Sequence, residues 1–171
     1  RSFPLSSERE DTYIGGLSMG GFGALRSGLK YHKTFGAVIA LSAVAMLDED
    51  ILTPAENSAL PIDRMAVRRW HYGQDLAAAL ESDKNPAWLV KRLAEEKAEF
   101  PAIYMACGES DFLLEKNRAF HALLQAYNIP HTFELGPGSH EWDFWDRYIL
   151  KALDWLPLET AAEGRGSGNV R

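Results

Sequence analysis

Thr12-Tyr13-Ile14-Gly15-Gly16-Leu17-Ser18-Met19-Gly20-Gly21-Phe22-Gly23-Ala24-Leu25 is the stretch on which the reading of this chain turns. Thr12 to Gly16 is a short β-prone run that closes on glycines, and Met19 to Lys30 carries Phe22, Leu25 and Leu29 at helical spacing. The segment predicts a strand, a sharp turn and a helix. Gly16-Leu17-Ser18-Met19-Gly20 is a GxSxG sequence, and it falls on the turn. A serine at such a turn has a strained backbone, so the residues two positions away, Gly16 and Gly20, are expected to be small so that the chain can pass. The turn also aims a helix N-terminus at the serine, where the Met19 N–H can donate to an oxyanion and the helix dipole favours negative charge. Gly21, Gly23 and Ala24 would let that helix pack closely on a sheet. By itself the pattern also fits an ordinary glycine-rich turn or a phosphate cradle. The strand before it and the helix after it favour the nucleophile.

Working outward, Phe35 to Leu41 is a nearly continuous apolar run, as expected of a strand covered on both faces. From Ala43 to about Asn85 the pattern breaks, with Asp48, Glu49 and Asp50, then Pro54 and Pro61, then Arg68, Arg69, Trp70 and His71. This reads as an insertion with short helices. Pro86 to Ala98 is amphipathic and opens on proline, which suits the first turn of a helix. Pro101 to Cys107 predicts a third buried strand, Glu115 to Tyr127 a helix, Ile129 to Leu135 a fourth strand and Glu141 to Leu156 a last helix. Strands that alternate with helices imply a parallel sheet in an α/β fold. Thr160 to Arg171 is polar and glycine-rich, and a frayed tail is expected there.

The 171 residues fit one domain, and 46% hydrophobic with 25% charged residues can supply a core. The net charge of −6, with basic residues scattered, argues against nucleic acid as a partner. No apolar run approaches the roughly 18 residues of a membrane span. The one cysteine, Cys107, cannot form an internal disulfide and sits among apolar neighbours, which suggests a small buried thiol. A cytoplasmic setting is compatible with it. The chain opens on Arg1, and nothing resembling a signal peptide follows.

A serine hydroxyl is a weak nucleophile, so Ser18 needs a base to take its proton and an acid to hold that base in the right tautomer. Asp111 stands in Gly108-Glu109-Ser110-Asp111, just past the third strand, where active-site groups of parallel sheets gather. Glu109 is the competing carboxylate, and Asp111 could instead be a solvated or helix-capping residue. His140 follows the fourth strand in a Gly-Pro-Gly-Ser loop, after the acid and before a helix. Of the other histidines, His32 lies near a helix end, His71 in the insertion, His121 within a helix and His131 at the start of a strand. Each of these reads as a surface or packing residue.

Three segments carry a resemblance: Gly15 to Leu25, Cys107-Gly108-Glu109-Ser110-Asp111-Phe112-Leu113, and Gly138-Ser139-His140-Glu141-Trp142. In that order they resemble the nucleophile, acid and base segments of the esterase D family of α/β-hydrolases, most closely its tributyrin and acetyl esterase branch. The resemblance runs from about Glu8 to Leu156 and is weakest in the insertion. It implies a serine carboxylesterase that hydrolyses short-chain acyl esters through an acyl-enzyme, with Ser18, His140 and Asp111 as the triad and no metal or organic cofactor. It also implies that this chain is the C-terminal part of an α/β-hydrolase fold, a mostly parallel sheet with flanking helices whose N-terminal strands are missing. Residues 1–159 would then be the hydrolase domain, with an insertion at about 43–85 and a tail at 160–171. A second oxyanion donor would lie in the missing part. Three further expectations stay open: a thioesterase of the S-formylglutathione hydrolase type, a truncated non-catalytic remnant, and association of copies through the exposed sheet edge.

Overall fold

The computed structural model describes residues 6, 8–44, 46–52 and 64–158. Among these residues, four strands form one sheet: β1 (Tyr13–Leu17), β2 (Ala37–Leu41), β3 (Ala102–Gly108) and β4 (His131–Gly136). They lie side by side in sequence order and every pairing is parallel. The helices are α1 (Met19–Lys30), α2 (Asp48–Leu52), α3 (Arg64–Tyr72), α4 (Leu76–Leu80), α5 (Pro86–Glu95), α6 (Leu114–Ala126) and α7 (Trp142–Trp155). Each element expected from the sequence appears, with ends moved by at most three residues.

The two central strands show why the sheet is sandwiched. Along β2, Val38 and Ala40 join a cluster with Leu25 and Leu29 of α1, Leu89, Val90 and Leu93 of α5, and Phe120 and Leu124 of α6. Ala37, Ile39 and Leu41 face the other way, onto Phe144, Trp145 and Tyr148 of α7. β3 splits likewise, with Ile103 and Met105 on one side and Tyr104 and Ala106 on the other. Period-two side chains that are apolar on both faces give the unbroken hydrophobic runs of the sequence. Each large side chain taken out of water contributes about 1.5–3 kcal/mol. Gly28 lets α1 lie close to the sheet: a Cβ there would stand 2.2 Å from Val38 Cγ2.

The insertion's described part is helical, as expected. Ile51 of α2, Tyr72 of α3 and Ala79 of α4 pack with Phe22, one turn into α1. The acidic run that broke the sequence pattern has a structural use. Asp50 is almost fully buried, accepts the Leu47 N–H and pairs with Lys116 of α6. Asp48 bonds both Asn85 and Lys91, tying α2 to the start of α5. Asn85 also accepts the Ala87 N–H, capping the helix that Pro86 opens. Residues 45, 53–63 and the expected tail at 160–171 lie outside the described residues. No helix among the described residues is long and apolar enough to cross a membrane.

Candidate active site

Parallel strands bring their C-terminal ends to one edge of the sheet, and the loops there carry the site. Ser18 stands between β1 and α1 with φ 54 and ψ −118, left-handed backbone on a residue that is not glycine. The turn is as tight as the GxSxG sequence requires at one of its two glycines. A Cβ on Gly16 would fall 2.3 Å from the Gly20 carbonyl group, whereas one on Gly20 would meet nothing within 4 Å. The expectation that both need to be small therefore holds for Gly16 alone. Gly21 approaches Ala43, and Gly23 faces open space. The Ser18 N–H donates to Leu41 O at 2.8 Å, which fixes the turn to the end of β2.

Asp111 lies three residues past β3 and its side chain is fully buried. Its Oδ1 accepts the Leu113 N–H at 2.8 Å, a local turn of the kind an aspartate offers the backbone. The same carboxylate meets His140 Nδ1 at 3.0 and 3.2 Å. The opposite nitrogen, Nε2, lies 3.0 Å from Ser18 Oγ. The three side chains are thus joined in one line. Glu109, the competing carboxylate, is exposed on the same loop, and its N–H donates to Gly136 O at 2.9 Å. His32 contacts Leu29 O, His71 lies against Trp70 and Tyr72, and His121 and His131 bond each other at 2.6 Å.

The acid and base loops are also joined to each other. A Cβ on Gly108 would come 2.4 Å from Gly138 O, and that same carbonyl accepts the Ser110 N–H at 3.0 Å. Around the imidazole stand Phe112, at 4.7 Å between ring centroids, and Trp145, at 4.9 Å and edge-on. The sequence reading missed these two rings as site residues. Phe112 stands next to the acid and Trp145 is one helical turn past the base loop, and that adjacency was the available signal. Burial, followed by the Asp111 charge, pushes the Cys107 thiol up to about 12. It is therefore a neutral, inert thiol, as expected of it. Met19 opens α1, so its N–H is among the donors that a helix start leaves without an intrahelical partner.

The Esterase family matches this chain over residues 1–156. The chain is a member of that family. It is 42% identical over 158 residues to an acetyl esterase of Caldicellulosiruptor saccharolyticus, a match covering 90% of this chain and 57% of the relative. Among solved structures this chain resembles the S-formylglutathione hydrolase FrmB of Staphylococcus aureus at 30% identity and a TM-score of 0.74. It also resembles FphF, a fluorophosphonate-binding serine hydrolase of the same organism, at 30% identity and a TM-score of 0.76. Each of these matches covers 90% of this chain and 57% of the solved chain. The chain thus spans somewhat over half the length of the relatives it matches.

Proposed function

We propose that the protein carrying this chain is a serine carboxylesterase acting on short-chain acyl esters, with Ser18, His140 and Asp111 as its triad. The observation that carries the reading is the unbroken line from Ser18 Oγ through both ring nitrogens of His140 to the buried Asp111 carboxylate. In the proposed reaction His140 Nε2 takes the Ser18 proton as Oγ attacks the ester carbonyl carbon, and Asp111 steadies the resulting imidazolium. The oxyanion receives the Met19 N–H at the start of α1. As the intermediate collapses, the C–O bond to the alcohol breaks and the imidazolium returns its proton to the departing oxygen. Water then repeats the sequence on the acyl-enzyme and releases the acid.

The identity to an acetyl esterase supports a small acyl group. The likeness to an S-formylglutathione hydrolase supports a second reading, thioester hydrolysis, which relative rates on oxygen esters and thioesters separate. A buried, unpaired Cys107 fits a cytoplasmic setting, which cell fractionation tests. The test of function is covalent labelling by a fluorophosphonate, together with hydrolysis of p-nitrophenyl acetate, on the complete polypeptide carrying residues 1–171. Labelling at Ser18 supports an activated serine. Absence of both labelling and turnover leaves a non-catalytic remnant as the reading.

A further inference from the structure

We infer that Ser42 is a positioning residue that ties the nucleophile's turn and the base of the proposed triad to one point behind the site. The inference rests on the esterase reading and adds to it a residue that touches no reacting atom. Ser42 follows β2 directly, is fully buried, and has φ 46, a left-handed backbone that side chains rarely adopt. Buried strain of this kind persists where the surroundings over-determine it. Here the surroundings are the triad's own supports.

Two connections leave this point. The first is by backbone: Leu41 O, the preceding carbonyl, accepts the Ser18 N–H at 2.8 Å, while the Ser42 N–H donates to Ala106 O at 2.8 Å. The nucleophile's turn and β3 are thereby referred to the same peptide. The second runs to the base. Trp145 Nε1 donates to Ser42 Oγ at 3.1 Å, and the indole so held stands edge-on to His140 at 4.9 Å. A buried tryptophan needs some partner for its N–H in any fold, so simple satisfaction of the indole is the competing account. It predicts an effect on stability without a selective effect on turnover.

The experiment uses the complete polypeptide with Ser42→Ala, Trp145→Phe and the double variant. Trp145→Phe keeps a ring beside His140 if loss of the buried hydroxyl proves unfolding. Each single change is expected to lower kcat on p-nitrophenyl acetate by about 10- to 100-fold, the scale of a misplaced catalytic group. KM should stay within about threefold, and the double variant should be no slower than the slower single, as for residues acting along one path. Folded variants with unchanged kcat, or losses that multiply, overturn the inference. If the parent protein neither hydrolyses esters nor labels at Ser18, the esterase reading fails separately. The His140 Nδ1 proton then decides by NMR: a downfield resonance that Ser42→Ala weakens supports the tether, and one left unaltered refutes it.

Discussion

Ser18, with its φ of 54, stays where it is because Gly16 clears its path and Leu41 holds its N–H. Its side chain touches His140 and serves no packing role, so Ser18→Ala in the complete polypeptide should leave the melting temperature unchanged. It should lower p-nitrophenyl ester hydrolysis by several orders of magnitude, and more than about a tenth of the activity remaining would refute the assignment. Asp111→Asn should be far more damaging than Glu109→Gln, because only the buried carboxylate meets the imidazole. The reverse ranking would move the acid to Glu109. Ser18, Asp111 and His140 were legible because each ends a strand in a loop with its own chemical signature. Trp145 and Ser42 were not, since a core tryptophan and a serine closing an apolar strand look ordinary until the fold brings them together.

Among the elements, β3 carries the clearest dependence on pH. Burial raises the Cys107 thiol from an ordinary 9.0 to about 12, so the folded state holds that proton more tightly than the unfolded chain does. Its contribution is complete below pH 9 and is lost as the pH climbs towards 12. Tyr72 of α3, raised by burial from 10.0 to about 12, adds to the same decline. Melting temperatures should therefore fall between these limits, and Cys107→Ala should flatten the earlier part; an unchanged slope would count against it. On α1, Gly28→Ala should lower stability by about 1–3 kcal/mol, because the buried, branched Val38 has no room to move; thermal melts read this directly. Element types were legible from period and capping residues, as Pro86 after Asn85 illustrates. The packing of the insertion's side chains was not: Met46 and Leu47 join the main core, Tyr72 lies against Phe22 and Trp70 is 82% exposed. A cap over the acyl site that sets chain-length preference is proposed for α2 to α4; exchanging residues 43–85 with those of a relative should change that preference, and no change would end the idea.

For the molecule as a whole, the decisive feature is β1. Among the described residues it pairs with β2 on one side only, and an apolar groove runs from Ile14 and Leu17 to Trp142, Ile149 and Leu153 of α7. An unpaired strand edge recruits other strands. Residues 1–171 expressed alone should associate, and should turn over p-nitrophenyl acetate about 10²- to 10³-fold more slowly than a version extended at its N-terminus, the cost of one oxyanion donor. Light scattering and a rate comparison test this, and a compact monomer with equal turnover would overturn it. The resemblance implies a sheet continuing beyond β1, which composition alone does not, because a strand's sequence does not say whether one edge or two are paired. The order of the strands has a further consequence, in time. They lie in the sequence in which they are translated, and Ser18 and His140 are 122 residues apart. At about 5–20 residues per second, Ser18 is synthesised roughly 6–24 s before His140. Nascent chains stalled before residue 140 would lack the proposed base, so the proposed chemistry would arrive only with the loop that leads into α7.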